Sequence, residues 1–202
     1  MELPVEILVI ALYQNDSSVA RFVHVLSASL ANYVHITVIT CPSVSEAIIK
    51  LAGISHSPNV ILFVTHGNEN GQPTFEDDAP ISPETARVLY DWKTNKMALF
   101  GKCNNALLIL AACGAGREGI IIDMQTGGFS FESIITPAPF KELQVDCGAR
   151  SIACYLNKLA SPEITQPDRV LQEVLFEEME FVPGWKGIWF LWPWLSMMGP
   201  VN

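Results

Sequence analysis

Val60-Ile-Leu-Phe-Val64 runs into Thr65-His66-Gly67, and Leu107-Leu-Ile-Leu-Ala111 runs into Ala112-Cys113-Gly114. Each apolar stretch is too short for an independent helix and is bounded by glycine or polar residues. Each is therefore predicted to be a fully buried parallel strand. In open α/β sheets the chemistry lies just beyond the carboxyl ends of such strands. One strand would then deliver a histidine and its neighbour a cysteine, the pair that a thiol nucleophile and its proton partner require.

Working outward, Glu6–Leu12 is predicted as a first strand, followed by a polar turn over Gln14–Ser18. Helical spacing of Val19, Phe22, Val23, Leu26 and Leu30 predicts a helix over Val19–Asn32, and β-branched Tyr33–Thr40 a second strand. Ser43-Val-Ser-Glu46 matches a capping box for a helix through Leu51, with Gly53 beyond its end. Asn68–Pro80 is expected to be a surface loop. Ser82-Pro83-Glu84 opens a helix running to about Trp92. Gly114–Gly128 reads as loop with a short helix, Phe131–Thr136 as a fifth strand, and Arg150–Leu159 and Arg169–Glu180 as helices. This alternation predicts an α/β fold: a doubly wound, mostly parallel sheet with helices on both faces, three layers α/β/α. Residues 1–202 read as a single domain, in which 183–202 is a Trp-rich segment. Trp185, Trp189, Trp192 and Trp194 crowd that segment, which either closes the core or anchors a partner.

The chain is half apolar and 16% charged, enough to bury a full core. Its net charge of −9, with no run of basic residues, argues against nucleic acid and anionic membrane surfaces as partners. The apolar run ending at Tyr13 and the Trp-rich segment are both too short to span a membrane. The acidic start Met1-Glu-Leu-Pro-Val-Glu6 is a poor signal peptide, so a cytoplasmic location is expected. The cysteines Cys41, Cys103, Cys113, Cys147 and Cys154 show no C-x-x-C spacing, so neither disulfides, a metal nor another cofactor is expected.

Among these cysteines, Cys41, Cys103 and Cys154 are assigned to packing or surface. Cys147, near the start of a predicted helix, is the weaker nucleophile candidate. His24 and His35 are read as structural and His56 as a loop residue. That leaves His66 and Cys113, each at the mouth of a strand.

The two tripeptides resemble those of the caspase-like cysteine peptidases, the group of caspases, metacaspases, gingipains, legumain, separase and CHAT domains. There one strand ends in His-Gly and the next in a small residue followed by the catalytic Cys. The separation from His66 to Cys113 is 47 residues, close to the roughly 50 of caspases. Ala112, Cys113 and Gly114 match the caspase Q-A-C-[RQG]-G motif, whereas Ala111 replaces its Gln and Ala115 its last Gly.

The resemblance implies a hydrolase, a thiol endopeptidase acting on a protein substrate, with Cys113 as nucleophile and His66 managing its proton. Backbone N–H groups of Gly67 and Cys113 would form the oxyanion hole, where a preset donor contributes roughly 2.7–4 kcal/mol. Asn68 would touch substrate. Ala111, at the position of the lost Gln, argues against a caspase pocket for aspartate, and it also replaces the acidic residue of metacaspases. Asp16 lies where the group often puts a specificity residue. With the acidic stretch 69–78, it implies a preference for a basic P1 residue. Loop 114–130 corresponds to the caspase processing region, so Arg117 or Asp123 would be cut on activation. An activating protein partner is also expected, as in bacterial immune-defence effectors, to which so small a module is similar.

Two other readings compete. Gly114-Ala-Gly116-Arg-Glu-Gly119 is a literal G-x-G-x-x-G after a strand, the mark of a dinucleotide site, although the stretch that follows breaks at Gly127-Gly128. The third is a catalytically inactive caspase-fold scaffold with the Trp-rich segment as its interface.

Overall fold

Val60–Val64 forms a strand with all five side chains buried, which places it in the middle of a sheet covered on both faces. The computed structural model describes residues 5–55, 58–100, 107–127, 134–137 and 143–161. Along the chain these are β1 (Val5–Ala11), α1 (Ser17–Ser29), β2 (Val34–Thr40), α2 (Val44–Ala52), β3 (Val60–Val64), β4 (His66–Gly67) and β5 (Pro73–Thr74). There follow α3 (Pro83–Phe100), β6 (Leu107–Ala111), α4 (Glu118–Thr126), β7 (Ile134–Ile135) and α5 (Val145–Leu159). Among the described residues the main sheet has five strands, all parallel, in the order β2-β1-β3-β6-β7, as the alternating pattern predicts.

The chain moves from β1 outward to β2 and then returns across β1 to β3, so the order reverses between β1 and β3. Right-handed crossovers put the β1–β2 connection on one face and the later ones on the other. The packing agrees: α1 lies along α5, while α3 neighbours both α2 and α4. Arg21 donates two hydrogen bonds to Asp146, at 2.7 and 2.6 Å, across the first pair. Asn157 of α5 ties the end of α1, accepting from Ala31 N–H and donating to the Ser29 carbonyl.

Local signals account for the element ends. Ser43 Oγ accepts from the Glu46 N–H at 3.3 Å, which makes the serine half of the expected box at the head of α2, while the Glu46 carboxylate pairs with Lys50. Gly53 closes the same helix in a right-handed conformation, φ −78°. On α1, Val19, Phe22 and Leu26 are buried, but the helix starts earlier than predicted because Asp16 caps it.

Three expectations need correction. The stretch Asn68–Pro80 is not all surface loop: β5 pairs antiparallel with β4, and Phe75 is fully buried beneath it. The α3 helix runs to Phe100, since nothing before Gly101 stops it. The α5 helix begins at Val145 rather than Arg150. Gly148 looks like a boundary but lies inside the helix, where a Cβ would come within 2.7 Å of Leu143 Cδ1. His24 lies in α1 and His35 in β2, both exposed. Of the predicted fifth strand, Ile134–Ile135 is paired with β6. His56, Cys103, the helix predicted over Arg169–Glu180 and the segment 183–202 lie outside the described residues.

Candidate active site

The β3 and β6 strands pair in parallel with Val64 opposite Ala111, and the next rung holds too, as Thr65 N–H donates to the Ala111 carbonyl at 3.2 Å. His66 and Cys113 therefore leave adjacent strands at the same offset. Both sit at the carboxyl ends, His66 beside the point where strand order reverses and Cys113 one strand further along. His66 is partly open, with 43% of its side chain exposed, and Cys113 is half-buried.

The backbones following the two strands are pressed together. A Cβ on Gly67 would lie 2.1 Å from the Cys113 carbonyl oxygen, so position 67 admits no side chain. The space that a glycine leaves there is filled by the Cys113 peptide itself. A second contact follows: Gly71 and Gly114 both adopt left-handed backbone (φ +76° and +69°), and a Cβ on Gly71 would meet the Gly114 carbonyl at 2.6 Å. Arg117 packs on the same spot and donates from Nη1 to the Glu69 carbonyl at 3.2 Å. The histidine-bearing and cysteine-bearing loops thus form one unit.

Around the imidazole, Asp16 from the β1–α1 turn places Oδ2 3.2 Å from His66 Nε2. The same carboxylate caps α1, accepting from Ser18 N–H, Ser18 Oγ and Val19 N–H. These bonds, led by Ser18 Oγ, hold its pKa down at about 2 against the opposing effect of partial burial, so it is ionised throughout the neutral range. Tyr13 presents its ring edge-on to His66, with centroids 4.7 Å apart. Its hydroxyl bonds Thr74 Oγ1 at 2.9 Å, and Thr65 Oγ1 donates to the Thr74 carbonyl. The small β4–β5 sheet is thereby fastened to the floor from which His66 rises.

The Cys113 sulfur accepts a hydrogen bond from the Leu143 N–H at 3.3 Å. No hydrogen bond joins it to His66 among the described residues. The Cys113 N–H also has no acceptor among the described residues. Burial pushes the Cys41 thiol up to about 11, which leaves it protonated and inert. Cys147 is exposed on the first turn of α5, and no trio of His, Cys, Asp or Glu is gathered for a metal among the described residues.

The remaining sequence candidates occupy other roles. The Asn68 amide is committed to its own loop: Oδ1 accepts from Asn70 and Gln72 N–H, and Nδ2 donates to Gln72 Oε1. Ala111 is buried as the last residue of β6, opposite Val64. Asp123 lies inside α4, its carbonyl accepting from the Gly127 N–H, whereas Arg117 precedes that helix. The run Gly114-x-Gly116-x-x-Gly119 leads into this nine-residue helix, with Gly114 against Gly71.

Sequence reading misses Tyr13, Thr74 and Leu143. Tyr13 has a usable signal, since it stands just past β1, next to the reversal point. Leu143 contributes only its N–H and leaves no trace in residue type. No family model matches the chain, and no curated protein matches it.

Proposed function

We propose that this chain is a caspase-like cysteine endopeptidase. The observation that carries this reading is the matched offset of His66 and Cys113 beyond two paired parallel strands. Cys113 Sγ attacks the scissile carbonyl, His66 takes the thiol proton, and the same imidazolium gives it to the leaving amine. Water then hydrolyses the thioester and restores the thiol. Asp16 holds the imidazole through Nε2, which leaves Nδ1 as the nitrogen that exchanges the thiol proton. The N–H groups of Cys113 and Gly67 hold the oxyanion.

A basic P1 residue is the preferred substrate, attracted by Glu69, Asp77 and Asp78, which are exposed on the loop after His66. Asp16 is not part of that attraction, because its carboxylate serves His66 and α1. Glu76 is also committed, accepting from Gln14 N–H and Asn15 Nδ2. Activation by a protein partner or by cleavage completes the reading. Arg117 is held in the turn before α4, its N–H bonded to Gly114 and its carbonyl to Ile120, and Asp123 lies inside α4, so a cut at either requires local unfolding before an extended strand can be presented to a peptidase.

The test is labelling by an acyloxymethyl-ketone probe, followed by a panel of P1-Arg, P1-Lys and P1-Asp peptides. Capture at Cys113 that disappears in His66→Ala supports the peptidase. Equal labelling of all exposed thiols, indifferent to His66, removes it in favour of a scaffold. Turnover of the P1-Asp peptide alone refutes the basic preference.

A further inference from the structure

The β2 strand is the outer strand of the sheet on one side. In a parallel pair, alternate residues direct both N–H and C=O to the neighbouring strand. Cys41 N–H donates to the Ala11 carbonyl at 2.9 Å, so the odd residues of this stretch face β1. Leu12 N–H donates to the Val64 carbonyl, which puts the even residues of β1 toward β3 and fixes the same phase independently. Val34, Ile36, Val38 and Thr40 consequently present their backbone groups outward.

Two of these outward groups are occupied: Val34 N–H donates to the Ala31 carbonyl, and Lys50 Nζ donates to the Thr40 carbonyl. Among the described residues nothing pairs with the Val34 C=O, the Ile36 and Val38 N–H and C=O groups, or the Thr40 N–H. Natural edges are blunted by Lys, Pro, inward charges or bulges. Tyr33-Val-His-Ile-Thr-Val-Ile-Thr40 contains no Lys, Arg, Asp, Glu, Pro or Gly. Tyr33 and Val38 are exposed along it, at 49% and 41%. The α2 helix, whose Lys50 reaches this edge, also exposes Ile49 at 72%.

We propose that β2 is a self-pairing edge, joining two copies of this chain antiparallel about a two-fold axis through Thr37. The occupant is set by hydrogen-bond complementarity. In this register Ile36 lies opposite the partner's Val38, and Val34 opposite the partner's Thr40. The two occupied groups, Val34 N–H and Thr40 C=O, then face each other, and every remaining outward group finds a partner. Thr37 meets the partner's Thr37 on the axis, and His35 lies opposite the partner's Ile39. The strand carries no carboxylate or ammonium group, so it meets its own copy without like-charge repulsion. The closed two-fold also explains how an unblunted edge avoids open-ended growth.

Sedimentation of the full chain across the micromolar range tests this. The expected species has twice the 22.2 kDa chain mass. Thr37→Lys puts two ammonium groups opposite each other on the axis and weakens dimerisation about tenfold or more. Val38→Pro removes one outward N–H without touching the β1 ladder and has the same effect. Thr37→Cys gives a disulfide-linked dimer on mild oxidation, whereas the wild type, whose Cys147 is exposed, does not. A monomer at all concentrations overturns the proposal, as does a dimer that resists Thr37→Lys. Thr37 is exposed, so that variant remains informative even if the proline variant fails to fold.

Discussion

His66 Nε2 lies 3.2 Å from the Asp16 carboxylate, which joins the turn after β1 to the turn after β3 across the point where strand order reverses. One carboxylate oxygen caps a helix and the other meets the imidazole, so fold and site share a single side chain.

This sharing separates two variants. Asp16→Asn keeps an N-cap acceptor and removes the charge. It is expected to lower kcat by about 10- to 100-fold, in the direction of other orienting carboxylates, with a modest loss of Tm at neutral pH from the removed charge. Asp16→Ala loses both functions and adds about 1 kcal/mol of destabilisation, roughly 2–4 °C in a chain of this size. Peptide turnover and thermal unfolding, measured side by side, check both. Equal activity of Asp16→Asn and wild type would remove the orienting role.

Acid titration offers an independent check on the same residue. The ordinary Asp value of 3.8 is lowered in the fold to about 2. A group depressed in this way stabilises the fold above its unfolded pKa and loses that contribution as pH falls through the folded one. The Tm difference between wild type and Asp16→Asn is therefore flat above about pH 5 and shrinks between about pH 4 and 2. Calorimetry at a series of acid pH values measures it. A difference that grows on acidification contradicts the assignment.

Two glycines predict opposite outcomes. Gly67→Ala drives a Cβ to 2.1 Å from the Cys113 carbonyl, which neither backbone can yield easily. The expected cost is about 1–3 kcal/mol or more, with loss of activity as the two loops part. Gly119→Ala, in α4 with open space around the added methyl, should gain up to about 1 kcal/mol and leave activity intact. Chemical denaturation distinguishes them.

The tyrosine beside the imidazole gives a graded pair. Tyr13→Phe keeps the ring edge on His66 and loses only the bond to Thr74, so kcat should stay within a few-fold. Tyr13→Ala removes the ring contact, worth about 0.5–1.5 kcal/mol in such pairs, and frees the imidazole to turn. A larger loss from the phenylalanine variant than from alanine would show that the hydroxyl, not the ring, positions His66.

The residues of β3 and β6 announced themselves because central parallel strands are apolar throughout, and both their bounds and the residues after them could be read directly. The loop after His66 was harder. Pro73, Thr74 and Phe75 look like turn composition, yet they are buried because β5 folds back on β4, a tertiary event with no periodic signature. Asp16 was legible as a residue of this region, but its contacts were not: position along the chain does not say that one carboxylate oxygen caps α1 and the other meets His66. The Leu143 N–H on the Cys113 sulfur had no sequence signal at all, since any residue but proline supplies one.

Parallel pairing without offset, Val64 against Ala111, has an evolutionary consequence. Side chains alternate across a sheet, so inserting one residue into either strand would swing imidazole or sulfur to the far surface and disable both. Changes of length are thus tolerated only outside the two strands, and on the proposed peptidase reading the connecting segments are where substrate preference could vary with imidazole and sulfur kept on one side.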